Sequence, residues 1–199
     1  MYEHTQLKTD RRANYIMTRR KPITTKDIIT ISGRYLYYGK SNERFYIKGI
    51  AFPLVNPSVK QQRLHGDSFT TTGWNSVLEQ LANDTDINTI RLYDVDCSQS
   101  HAHYSSFFQR AAELGIYILL PLTTTSGDGV LYRDLQAPKC YKQKLYNYGT
   151  SCLDQYATYD HPNILGGVVG NEVMNSLNAW YSAPCVKAYL NDFGKIYAK

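Results

Sequence analysis

Hydrophobic and polar positions change their rhythm near residue 52. Before it, Ile28, Ile29 and Ile31, then residues 34–38, then residues 45–52 form short apolar runs separated by turn-forming positions, the last turn at 39–42. This pattern predicts a short antiparallel β-hairpin opening. Beyond it, apolar strands alternate with helical segments, the rhythm of parallel β/α construction. Trp74, Val77, Leu78 and Leu81 stand at i, i+3, i+4 and i+7, so residues 74–81 form a helix with one apolar face that leads into a strand at 88–95. A second helix over 105–114 is stopped by a glycine cap at Gly115 and hands over to a strand at 116–122. A polar loop over 123–138 precedes a helix at 142–159, with Leu145, Tyr148 and Cys152 on one side. His161-Pro162-Asn163 breaks that helix, 164–170 reads as a short glycine-bearing strand, and a final helix starts near Ser182 to Pro184, where proline is tolerated in the first turn. Four parallel strands, each followed by a helix, make either a small open α/β sheet or the amino-terminal half of a (β/α)8 TIM barrel, and length favours the half.

Composition changes this picture little. With 199 residues, 43% hydrophobic and 20% charged, the chain has the make-up of one globular domain and not of a disordered or fibrous class. No apolar stretch approaches transmembrane length. The net charge of +5 is localised: residues 1–26 hold seven Lys or Arg against Glu3 and Asp10, and the remainder carries 15 charges of each sign. The expected division is therefore a basic, disordered tail over 1–26 and a neutral body over 27–199. The tail lacks the apolar run of a signal peptide. Taken alone, it would suit a polyanion-binding protein with steep salt dependence. Cys97, Cys140, Cys152 and Cys185 match no CxxC pattern and permit two disulfides without requiring any. Cys140 and Cys152 are near enough in sequence to close a small loop, or to remain two free thiols.

The chemistry concentrates at the fourth parallel strand. Residues 163–173 run apolar and glycine-rich into Asn171 and Glu172, which puts an amide and a carboxylate at the carboxyl end of a buried strand, where barrel active sites are built. A partly desolvated carboxyl group there holds its proton more readily and can serve as a general acid, and Asn171 could hydrogen-bond a substrate hydroxyl. The plainer alternative is a helix-capping Asn and a first-turn Glu. Asp94, Asp96, Cys97, His101 and His103 gather ligand-type side chains at no common zinc spacing, so no metal is expected. Asn83-Asp84-Thr85 is an N-glycosylation sequon, meaningful if the chain is secreted.

In order along the chain stand Phe45-Tyr46-Ile47-Lys48-Gly49-Ile50-Ala51-Phe52, Ile87-Asn88-Thr89-Ile90-Arg91-Leu92-Tyr93, Ala112-Glu113-Leu114-Gly115-Ile116-Tyr117, Gly170-Asn171-Glu172-Val173, Ala183-Pro184-Cys185-Val186-Lys187-Ala188 and Lys195-Ile196-Tyr197. This series resembles glycoside hydrolase family 72, the β-1,3-glucanosyltransferases that remodel fungal-type cell-wall glucan. The resemblance implies the first half of a (β/α)8 catalytic domain, a retaining mechanism and no metal or organic cofactor. It also implies β-1,3-glucan as partner, with no specific nucleic acid, and an extracellular or cell-surface location. By resemblance Glu172 is the acid/base, Asn171 contacts the sugar, Tyr93 is the active-site tyrosine after the second strand, and Arg91 steadies the nucleophile's charge or forms a structural ion pair. Pro53 and Pro121 stand where the family carries a glucan-holding Gln and Asp, and Tyr104 stands near a missing family cysteine. The second carboxylate is absent from this reading, because after Glu172 only Asp192 is acidic and it falls within the last helix. The chain thus reads as a truncated or fragmentary enzyme, with a vestigial, non-catalytic glucan-binding module as the alternative.

Overall fold

A computed structural model describes residues 21–39, 41, 43–52, 71–93, 95, 97, 102–123, 131, 136–156, 161–174 and 180–197. Two sheets organise them. Strands β1 (Ile29–Ser32), β2 (Tyr35–Tyr38) and β3 (Arg44–Phe45) form a small antiparallel sheet. Strands β4 (Gly49–Phe52), β5 (Thr89–Leu92), β6 (Tyr117–Pro121) and β7 (Ile164–Val168) form a parallel sheet in that spatial order. Helices α1 (Thr71–Asp84), α2 (Ala102–Glu113) and α3 (Gln143–Tyr156) make the crossovers, and α4 (Ala183–Tyr197) follows β7.

The apolar rhythm explains which strands are inside. Ile90, Leu92, Ile118 and Leu120 are buried and pack with Leu78, Phe107, Phe108, Ala111, Leu145 and Tyr189 of the helices. On the alternate positions, Thr89 and Tyr117 are buried while Arg91 and Leu119 are only half-buried. The difference along that face has a cause. Phe45 and Tyr38 of the antiparallel sheet pack over Tyr117, whose hydroxyl donates to the Asp27 carbonyl at 2.7 Å, and so cover the amino-terminal end. At the carboxyl-terminal end, Arg91 and Leu119 remain half-buried.

The glycine stop at Gly115 is formed as the sequence requires. Gly115 adopts φ 69° and donates to the Ala112 carbonyl at 3.0 Å, while Ile116 donates to Ala111 at 2.9 Å, the paired bonds of a left-handed helix cap. The apolar run 45–52, expected as one strand, is divided between the two sheets. The Asn88 side chain holds the link between its halves: Oδ1 accepts from the Lys48 amide and Nδ2 donates to the Tyr46 carbonyl, both at 2.9 Å.

The basic arm also ends earlier than residue 26. Ile23 is buried and its amide donates to Ala112 at 2.8 Å, and Lys21 lies 3.7 Å from Asp27, so residues 21–26 belong to the body. Residues 1–20 lie outside the described residues.

The cysteine pairing differs from the small loop considered above. The bonds are Cys97–Cys152 and Cys140–Cys185, which use all four cysteines. Cys152 lies well along α3 while Cys140 precedes it, and a helix rises about 1.5 Å per residue. The two are thereby carried roughly 13 Å apart along the axis, beyond bonding reach. Cys152 instead reaches the segment after β5, and Cys140 reaches the first turn of α4.

Candidate active site

Two strand ends supply the candidate residues. Arg91 is the third residue of β5 and Tyr93 follows its end, whereas Asn171 and Glu172 lie just beyond β7. After β7 the backbone turns through Gly170 at φ 83°, a conformation L side chains rarely adopt, and a Cβ there would meet Val173 Cγ2 at 2.6 Å. Glu172 itself takes φ 50°, the left-handed region that costs a non-glycine residue about 1–2 kcal/mol. Val173 is buried in the main core and anchors the far side of the turn. The strained segment is therefore pinned on both sides and presents Asn171 and Glu172 to solvent.

Sheet register brings β5 to this turn. Arg91 pairs with Leu119, and Leu119 with Gly166, where an added Cβ would meet nothing within 4 Å. Across that row the Arg91 Nη2 donates to Asn171 Oδ1 at 2.8 Å, and the guanidinium carbon stands 4.9 Å from the centre of the Tyr93 ring. Because the Asn171 oxygen accepts from a cation, its amide nitrogen carries the free donor valences. Arg91 Nε is buried and has no acceptor among the described residues. Arg91, Tyr93 and Asn171 thus form one connected cluster, with Glu172 next to it along the chain. Among the described residues the contacts of Arg91 are the Asn171 side chain and the Tyr93 ring. Glu172 is exposed, which departs from the partly desolvated rim expected from sequence; it follows an edge strand, with sheet on one side only.

Other candidates fall elsewhere. Pro121 ends β6, buried, opposite Val168. Pro53, Asp94, Asp96 and His101 lie outside the described residues, as do the side chains of His103 and Tyr104. Cys97 is spent in its disulfide and offers no thiolate, and no cluster of three metal-ligating side chains exists among the described residues. Asp192 on α4 accepts from the Tyr141 hydroxyl and lies 3.4 Å from Lys195, a structural role away from any strand end. One feature escaped the sequence reading. Trp180 and Tyr181, directly before α4, are exposed with ring centres 3.8 Å apart and planes 30° apart. Two adjacent aromatics eight residues beyond a strand-end carboxylate were the available signal, since such rings suit stacking on sugar faces.

Comparison with known proteins places the chain among relatives. The family model described as glucanosyltransferase, of glycoside hydrolase family 72, matches residues 20–199. The chain is 34% identical over 168 residues to the 1,3-beta-glucanosyltransferase GAS5 of Saccharomyces cerevisiae, covering 84% of this chain and 32% of that protein. It is 30% identical over 177 residues to 1,3-beta-glucanosyltransferase gas5 of Schizosaccharomyces pombe, covering 86% and 31%. The chain therefore spans about a third of the length of the curated relatives it matches. Among solved structures, Saccharomyces cerevisiae Gas2p in complex with laminaripentaose superposes with a TM-score of 0.64 at 24% identity, over 86% of this chain and 37% of that one. A ScGas2 complex with a small compound gives 0.66 over 87% and 37%. These structures share the fold.

Proposed function

Because the chain belongs to the glucanosyltransferases of glycoside hydrolase family 72, we propose that it carries the acid/base half of a retaining β-1,3-glucan transglycosylase. The parallel sheet then corresponds to the first four β/α units of an eightfold barrel, with 27–199, extended back to residue 21, as the amino-terminal half of that catalytic domain. Glu172 protonates the glycosidic oxygen as the donor bond breaks, and the same carboxylate later takes the proton of an acceptor hydroxyl. Asn171 donates to a sugar hydroxyl through the amide nitrogen that Arg91 leaves free. Tyr93 lines the same end, and Arg91 keeps the amide turned and offers its positive charge to the opposing carboxylate. That second carboxylate, the nucleophile, must stand about 5–5.5 Å from the first in a retaining enzyme, and no residue described after Glu172 fills the role. Since the relatives are about three times as long, the nucleophile belongs to sequence beyond this match. A place at the cell surface or outside the cell fits both the family and the two disulfides.

The observation that carries the reading is the Arg91 to Asn171 bond beside Glu172 at the carboxyl-terminal end of the parallel strands. The test is glucan transfer on laminari-oligosaccharides, read by mass spectrometry of products, in an active full-length form bearing Glu172→Gln. Loss of about 10²- to 10⁴-fold is expected for a missing general acid. Unchanged transfer would remove Glu172 from the mechanism. The exposure of Glu172 favours a second reading, a glucan-binding module without catalysis; there, laminari-oligosaccharide affinity persists while no form of the protein turns substrate over.

A further inference from the structure

The sequon Asn83-Asp84-Thr85 closes α1, on a part of the molecule that the catalytic reading does not use. It is the sole Asn-X-Ser/Thr site of the chain, since Asn56-Pro57-Ser58 is excluded by its proline. Asn83 is exposed in the last turn of α1. That turn precedes β5, so it lies at the amino-terminal end of the parallel strands, whereas Glu172 follows their carboxyl ends. At least the length of β5, roughly 10 Å at about 3.3 Å per residue, separates the two ends. A bulky group on Asn83 is thus accommodated by the folded chain and directed away from the carboxyl ends of the strands. Independently, the pairing of all four cysteines points to folding in an oxidising lumen, the compartment where such modification occurs.

We propose that Asn83 carries an N-linked glycan, attached before the end of α1 closes. In the folded chain the Thr85 hydroxyl is committed: it donates to the Leu81 carbonyl at 2.5 Å and accepts from the Ile87 amide at 3.2 Å. A sequon whose hydroxyl is held in a helix end is a poor acceptor, so transfer belongs to the nascent chain. In the step, the Asn83 amide nitrogen bonds to C1 of an oligosaccharide carried on a lipid pyrophosphate. The C1–O bond to the pyrophosphate breaks, the lipid pyrophosphate departs with that electron pair, and the amide proton passes to a base of the transferase. The proposal rests on the extracellular placement within the reading above and not on its catalysis.

The experiment expresses the full chain behind a cleavable secretion leader in a eukaryotic host, pooling cells and medium and scoring leader-cleaved chains. Peptide N-glycosidase digestion in heavy-oxygen water is followed by peptide mass mapping. Expected is one glycan's loss in mass, with Asn83 converted to heavy-oxygen-labelled Asp. The shift persists in Thr85→Ser and vanishes in Asn83→Gln and in Thr85→Ala. The Asn83→Gln chain keeps both disulfides and its binding of laminari-oligosaccharides, which separates failure here from failure of the catalytic reading. Leader-cleaved, disulfide-bonded chains with unmodified Asn83 would overturn the proposal. Equal modification of the pre-folded and the reduced, unfolded chain by purified transferase and lipid-linked donor would overturn the timing.

Discussion

Arg91 and Asn171 lie 80 residues apart yet share a 2.8 Å hydrogen bond at the carboxyl-terminal end of the parallel strands. A guanidinium offers a rigid fork of donors, while a lysine offers a mobile point charge. Arg91→Lys is therefore expected to release the Asn171 amide and lower kcat/KM for glucan transfer about as much as Asn171→Ala. The double variant should be hardly worse than either single one, because the two act as one unit; additive losses in a double-mutant cycle would separate their roles. Gly170→Ala should cost about 1–3 kcal/mol, since the left-handed φ of 83° and the 2.6 Å approach to Val173 both oppose a Cβ, and urea unfolding measures it. The place of Asn171 and Glu172 just beyond a strand was legible from sequence because a glycine-bearing apolar run announces a strand, although β7 is half-buried and not buried as expected. The bond to Arg91 was not, because it depends on the register β5 to β6 to β7, including the shift at Ile118/Leu119, which no local pattern encodes.

Elements are tied together by tyrosines and disulfides more than by charge. Tyr189 on α4 is fully buried and its hydroxyl serves the carbonyls of Leu122 at 2.7 Å and Leu145 at 3.0 Å, joining α4 to the end of β6 and to α3. Burial pushes the Tyr189, Tyr117 and Tyr141 hydroxyls well above the ordinary phenol range, with the Asp192 carboxylate adding to the effect at Tyr141. The sign follows from linkage. These groups stay neutral in the folded chain to a higher pH than in the unfolded chain, so their stabilisation is complete below about pH 10 and declines as the pH rises above it. Thermal melting followed by circular dichroism from pH 8 to pH 11 should show Tm falling in the upper part of that range, and less steeply in Tyr189→Phe. The disulfides make a matching prediction. Replacing Cys97 and Cys152 together by Ser should cost about 2–4 kcal/mol, because the bond closes a span of 55 residues; unfolding unchanged by the substitution would show that packing alone holds α3. The helices and the Gly115 cap could be read from sequence, being set by neighbours within a turn, although α1 and α2 each begin three residues before the expected start. Cysteine partners could not, since pairing depends on how far α3 carries Cys152 from Cys140.

At the scale of the whole molecule, β4 and β7 are the outer strands of the parallel sheet among the described residues. Ile50 on β4 is 42% exposed although its row partners Ile90 and Ile118 are buried, so this outer strand presents an apolar side chain to solvent. In the proposed mechanism Glu172 protonates a leaving oxygen, but a glycosyl-enzyme needs a carboxylate on the opposite face of the sugar to form the covalent bond, and an inverting route needs one to activate water. Asp192, the single acid after Glu172, is held by Tyr141 and Lys195 on α4. The 199-residue chain alone is therefore expected to bind laminari-oligosaccharides weakly and neither lengthen nor shorten them. In the proposed reading Arg91, Tyr93, Asn171 and the exposed Trp180–Tyr181 pair supply contacts for binding, and truncating Trp180 to Ala is expected to weaken it by about 1–3 kcal/mol. Incubation of the purified chain with laminaripentaose, followed by mass spectrometry, decides the matter. Products of altered length that disappear in Glu172→Gln would place a second working carboxylate within this chain. Asp94, Asp96 and Asp128, in the segments after the second and third parallel strands, would then be the residues to replace one by one.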